Sequence, residues 1–118
     1  MRAAIAYLAD QGIRQIDLAG YSFGAWVNGH LSCREIGIAN MVMVSPPAAF
    51  MGFDSVEAID CLRLIVTGSR DDIAPPDLIR RSYPRWNAEA RFEVINGADH
   101  FYGDHTDKLE EILSSNLK

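Results

Sequence analysis

Four short strand-like segments, Gln15 to Ala19, Met41 to Val44, Leu62 to Val66 and Arg91 to Ile95, alternate along the chain with helical or turn-rich stretches. This alternation is the signature of a parallel sheet with crossover helices, because parallel neighbours cannot be joined by a tight turn. Met41-Val42-Met43-Val44 is apolar at every position, the pattern of a strand covered on both faces. The expected fold is therefore α/β, a three-layer α/β/α arrangement around a mostly parallel sheet of about four strands.

The intervening segments supply the helices. Ile5, Leu8 and Ala9 share one helical face, and Gly12 suits a left-handed cap that stops that helix. Phe23 to about Cys33 reads as a helix with Val27 and Leu31 one turn apart, whereas Ser45-Pro46-Pro47 onward to Asp60 reads as a loop. Beyond Pro75-Pro76, the positions Leu78, Ile79, Ser82 and Tyr83 predict a short helix ended by Pro84. Leu109, Ile112, Leu113 and Leu117 make one apolar stripe on a final helix from Thr106 to Leu117.

With 118 residues, no repeat and no linker, residues 1–118 are expected to form a single domain. A chain of this size can bury roughly 65% of its unfolded surface. The net charge of -5, with the arginines scattered except at Arg80-Arg81, gives no basic face for nucleic acid. No run approaches the roughly 18 apolar residues of a membrane span, and the opening apolar run is too short for a secretory signal. Cys33 and Cys61 lack CxxC spacing, so the expectation is two reduced thiols in a cytoplasmic protein.

Gly20-Tyr21-Ser22-Phe23-Gly24 falls between the first strand and its helix. A serine on so sharp a turn is held in a strained backbone conformation with its hydroxyl above the sheet, and flanking glycines let strand and helix approach closely. The helix that begins at Phe23 directs free N–H groups at the same place, so the Phe23 amide is the expected oxyanion donor. The plainer reading is that Ser22 only caps the helix.

A serine hydroxyl needs a base in contact, and the base needs a group that fixes its tautomer. The third strand runs into Thr67-Gly68-Ser69-Arg70-Asp71-Asp72, and the fourth into Asn96-Gly97-Ala98-Asp99-His100. Strands of a parallel sheet end on one rim, where ligands bind, so Ser22, Asp71 and His100 are expected there together. The alternatives are Asp71 and Asp72 as solvated turn residues capping the next helix, Asp99 as the carboxylate nearest the histidine, and His100 as a surface histidine with His105 the weaker base candidate; His30 reads as a packing or surface residue. Asp99, His100, Asp104 and His105 lack the spacing of a metal site, and no phosphate-cradling loop occurs, so neither metal nor cofactor is expected.

The segments GYSFG, VTGSRDDIAPP and INGADHFYG resemble the C-terminal half of small, cap-poor α/β-hydrolases, including dienelactone-hydrolase-like and acyl-peptidase-like members. The resemblance runs through essentially the whole chain. It implies that a G-x-x-D-x-x-x-P turn presents the acid Asp71 and a G-x-x-H turn the base His100. The function it implies is that of a serine hydrolase acting on an ester, thioester or amide of a small acyl substrate. Tyr21 and Phe101 are the expected substrate-binding residues, with Ser45 to Phe50 and Tyr102 as further pocket walls; the equal alternative for these aromatics is a place in the core.

Members of that family also carry several strands before the serine strand, and a turn there that donates the second oxyanion N–H. Neither precedes Gln15 here, and losing one such donor costs about 100- to 1000-fold in rate. The expectation is that Met1 is an internal methionine of a longer hydrolase. A separate chain or a second copy in a homo-oligomer would be the other ways to cover the first strand's open edge. The rival reading is a non-catalytic module whose open edge docks a partner.

Overall fold

Met41 to Val44 and Leu64 to Val66 have almost no exposed surface, as continuous apolar runs in the middle of a sheet require. The computed structural model describes residues 2–31, 33 and 37–117. Its sheet contains β1 (Ile16–Tyr21), β2 (Ile38–Val44), β3 (Leu62–Gly68) and β4 (Arg91–Ile95), in the order β1-β2-β3-β4. All three pairings are parallel, so every strand ends on the same rim. β1 and β3 each run two residues beyond the expected end, because the ladder continues into the turns through Gly20, Tyr21 and Gly68, whereas β2 begins three residues early, with Ile38 and Asn40 paired to β1.

The helices are α1 (Arg2–Asp10), α2 (Phe23–Gly29), α3 (Pro76–Asn87) and α4 (Thr106–Asn116). Two cores separate the layers. One joins Ile5 of α1, Ala25 of α2 and Ile79 and Trp86 of α3 to Leu18, Met41, Met43 and Ile65. The other puts Leu109, Ile112 and Leu113 of α4 against Val42, Val44, Leu64 and Val66. This is the three-layer α/β/α arrangement.

Four local expectations are corrected. In α1 only Ile5 is buried; Leu8 and Ala9 face outward. Helix α2 stops at Gly29 instead of running to Cys33, because the His30 ring donates from Nδ1 to the Trp26 carbonyl at 2.7 Å and the His30 N–H turns to Val27. The side chain thus takes the acceptor that the next helical N–H would use. Ser32 of that expected helix lies outside the described residues.

Helix α3 continues through Pro84 to Asn87. The proline removes one helical hydrogen bond, at a cost of about 3 kcal/mol. Contacts beyond it offset this: Trp86 is buried against Phe53 with ring centroids 4.8 Å apart, its carbonyl accepts from the Ile59 N–H at 2.7 Å, and Asn87 Nδ2 donates to the Leu62 carbonyl at 3.1 Å. The last helix ends at Asn116, leaving Leu117 partly exposed outside it.

Cys33 and Cys61 form a disulfide, with Cα atoms 6.0 Å apart. The expectation of two free thiols is corrected: the chain after α2 passes beside the start of β3, a proximity that CxxC spacing could not reveal. The cytoplasmic expectation rested on those thiols and loses that support. No helix among the described residues is long and apolar enough to cross a membrane.

Candidate active site

Ser22 follows the last residue of β1 with φ 54 and ψ -118, a region that residues with a side chain seldom occupy. Its side chain makes no capping hydrogen bond to α2. Instead, Oγ lies 2.8 Å from Nε2 of His100, so Ser22 occupies the N-cap position of α2 without spending its hydroxyl on the cap. Gly20 permits the tight entry: a Cβ there would come within 2.8 Å of the Ala25 nitrogen. A Cβ on Gly24 would meet nothing within 4 Å, so close packing in this chain depends on the first glycine of the pair and not on the second.

The acid and base loops are laced together. Arg70 N–H donates to the Ala98 carbonyl at 2.9 Å, and Gly97 N–H donates to Ser69 Oγ at 2.7 Å. Gly68 makes this approach possible, since a Cβ at that position would stand 2.2 Å from the Ala98 oxygen. Gly97 turns the β4 exit with φ +86 and delivers His100 to the rim.

His100 Nδ1 lies 3.0 Å from both carboxylate oxygens of Asp71. A carboxylate only accepts, so Nδ1 carries the proton and Nε2 is left to accept from Ser22. The imidazole is thus held in the tautomer that can receive a serine proton. Asp71 is 2% exposed, and its charge is met by oriented donors: Oδ1 accepts from the Ile73 and Ala74 N–H groups at 3.0 and 2.7 Å, and Oδ2 from Ser45 Oγ at 2.7 Å.

The alternatives are placed elsewhere. Asp72 is exposed, and Asp99 turns its carboxylate to the Phe101 N–H at 3.0 Å. His105 sits at the start of α4 with Nδ1 donating to the Gly103 carbonyl at 2.7 Å, and His30 packs on Trp26. Among the described residues, no group of three or more His, Cys, Asp or Glu is arranged to hold a metal ion.

The remaining site residues differ in what they offer. Helix α2 begins at Phe23, and the first N–H groups bonded back to the Ser22 carbonyl are those of Ala25 and Trp26, so the Phe23 amide remains available beside Ser22. Phe101 is 76% exposed, with its ring edge-on to the His100 imidazole at 5.6 Å. Tyr21 is half exposed, but its hydroxyl donates to the His100 carbonyl at 2.6 Å and so braces the base loop. Burial, then the charges of Asp71 and Asp99, push its phenol upward and keep it a donor.

Two expected pocket walls are buried under the acid instead. Ser45 and Tyr102 are 0% and 3% exposed, and their hydroxyls contact each other behind Asp71. Their signal in the sequence was adjacency to a strand end and to the histidine, which marked the neighbourhood but not the direction of the side chains.

No family model matches the chain. An α/β serine hydrolase homologue from Coxiella burnetii superposes with a TM-score of 0.87 at 28% identity, covering 99% of this chain and 56% of its own. An α/β serine hydrolase without a lid from Xanthomonas campestris gives 0.84 at 21% identity, covering 98% and 53% respectively. An uncharacterised protein of Rickettsia prowazekii is 27% identical over 108 residues, 85% of this chain and 45% of that protein. The chain therefore spans about half the length of the proteins it matches. By the order of its strands and these likenesses, the chain has the α/β-hydrolase fold and corresponds to about half of it.

Proposed function

We propose that Ser22, His100 and Asp71 form the catalytic triad of a serine hydrolase that cleaves an ester, thioester or amide of a small acyl substrate. The observation that carries this reading is the continuous contact from Ser22 Oγ through His100 to Asp71, at 2.8 and 3.0 Å. Ser22 Oγ attacks the acyl carbonyl while its proton passes to His100 Nε2. Negative charge then forms on the carbonyl oxygen, beside the Phe23 N–H. As the intermediate collapses, the bond to the leaving group breaks and His100 returns the proton to it. Water attacks the acyl-serine with His100 again accepting a proton; the acyl–Oγ bond then breaks, the carboxylic acid leaves, and His100 returns the proton to Ser22 Oγ. Asp71 holds the imidazole in its Nδ1–H form and balances the transient imidazolium. Phe101 offers the substrate an apolar surface.

The test is turnover of an ester, a thioester and an amide carrying the same acyl group. Wild type should hydrolyse at least one and Ser22→Ala none; equal rates would overturn the proposal.

One observation favours a second reading, a non-catalytic interaction module. Among the described residues β1 pairs only with β2, and beside its free edge Tyr21, Val44, Tyr102, Leu109 and Leu113 line an apolar groove. Such a module would fold normally and show no turnover that Ser22→Ala abolishes.

A further inference from the structure

We propose that Ser45 and Tyr102 are positioning residues, a two-hydroxyl relay that anchors the Oδ2 side of Asp71 and thereby sets how strongly the carboxylate holds His100. The catalytic meaning of this inference rests on the hydrolase reading above; its geometry does not. The two residues are 57 positions apart, on the loops after β2 and β4, yet their hydroxyls meet behind the acid.

The direction of the relay follows from proton counting. Asp71 can only accept, so the one Ser45 hydroxyl proton goes to Oδ2, at 2.7 Å. Ser45 Oγ must then accept from the Tyr102 hydroxyl. The other hydroxyl near Oδ2, Thr67 Oγ1, is 3.4 Å away and spends its proton on the Ala74 carbonyl at 2.6 Å. Ser45 is therefore the donor that holds Oδ2, whereas Oδ1 has two backbone donors of its own. A buried carboxylate with one well-held and one loosely held oxygen would turn about its axis, and both oxygens now face His100 Nδ1 at 3.0 Å.

A second observation is independent of these distances. Ser45 and Tyr102 have φ 49 and 58, so both are non-glycine residues in the left-handed region. Each such conformation is costly and persists where surrounding structure enforces it. Here both side chains are delivered by that strain to a single point under Asp71. Burial first, and then the charge of Asp71 against the opposing Ser45 hydrogen bond, push the Tyr102 phenol upward, so it stays a neutral donor across the working pH range.

The titratable groups facing His100 are Asp71, Tyr21 and, through Ser45, Tyr102, while Asp99 turns to the Phe101 amide. The experiment follows the His100 imidazole by NMR against pH in wild type, Ser45→Ala, Ser45→Gly and Tyr102→Phe, with His100→Gln identifying the resonance. Removing a donor from the carboxylate increases its need for a positive partner. The His100 midpoint should therefore rise by about 0.5 to 1 pH unit in both Ser45 variants, and by less in Tyr102→Phe. Ser45→Ala and Ser45→Gly both lack the hydroxyl but differ in backbone strain, so agreement between them assigns the effect to the hydroxyl. Midpoints unchanged from wild type, or shifts in opposite directions for the two Ser45 variants, would overturn the proposal. Tyr102→Phe provides the reading if the Ser45 variants fail to fold, with an unmoved midpoint again counting against the relay. The measurement needs no reactivity at Ser22: a shifted midpoint in a protein without turnover would sink the hydrolase reading and leave the relay standing.

Discussion

Ser22 and His100 lie 78 residues apart in the chain, and their side chains stand 2.8 Å apart at the rim of the sheet. The contact is made by two strained or glycine-dependent turns at the ends of β1 and β4, bridged by the parallel strands between them. Asp71 completes it from the turn after β3, at 3.0 Å from the far side of the imidazole. Each member therefore depends on a different strand end, and the site is only as precise as the sheet.

Asp71→Asn keeps the shape of the acid but replaces a charge with an amide that can present either a donor or an acceptor to His100. With the wrong tautomer favoured, Nε2 would carry the proton and cease to be a base. Turnover is expected to fall by roughly 10,000-fold with stability little changed, measured as kcat alongside a thermal unfolding curve.

Gly68 and Gly24 should behave oppositely. A Cβ on Gly68 would stand 2.2 Å from the Ala98 backbone oxygen, so Gly68→Ala must push the acid and base loops apart. We expect a loss of about 3 kcal/mol in urea unfolding, the upper part of the range for overpacking. Gly24, in α2 with open space around its Cα, should accept alanine with no loss, or a gain of up to about 1 kcal/mol from helix propensity.

The disulfide closes a loop between Cys33 and Cys61, which are 28 positions apart. Chain-entropy arguments for a loop of this length give about 3 to 4 kcal/mol of stabilisation. Reduction with a thiol should lower the denaturant midpoint accordingly, and Cys33→Ser should reproduce the effect and remove the sensitivity to reductant.

Alkaline pH should destabilise the fold through Tyr102. Its phenol is pushed above the ordinary value of 10.0, chiefly by burial. Above about pH 10 the unfolded chain releases this proton while the folded chain retains it, so the unfolded state binds fewer protons and stability falls as pH rises. Below that pH the contribution is fully present. Tyr21, raised in the same direction by burial, Asp71 and Asp99, adds to the slope. Urea midpoints between about pH 8 and 11 should decline in wild type and decline less steeply in Tyr102→Phe.

The strands and the three rim positions were legible in the sequence because both depend on local order. Apolar runs such as Met41 to Val44 announce a buried strand, and Gly20, Gly68 and Gly97 mark the turns at which Ser22, Asp71 and His100 leave the sheet. Features that depend on the packing of distant segments were not legible. The Ser45–Tyr102 contact needs two loops to converge behind Asp71, and the disulfide needs the chain after α2 to pass beside β3. Pro84 reads locally as a stop; the helix passes it because Trp86 finds a buried seat against Phe53. Gly24 shows the reverse error, a residue of the serine motif with no steric duty within this chain.

The central claim is that Ser22 is a nucleophile activated by His100. Incubating the folded protein with a fluorophosphonate and locating the adduct by mass spectrometry tests it most directly. A single adduct on Ser22 is expected, absent in Ser22→Ala and formed slower by orders of magnitude in His100→Ala. Folded protein that remains unlabelled, or labels equally well after Ser22→Ala, would contradict it.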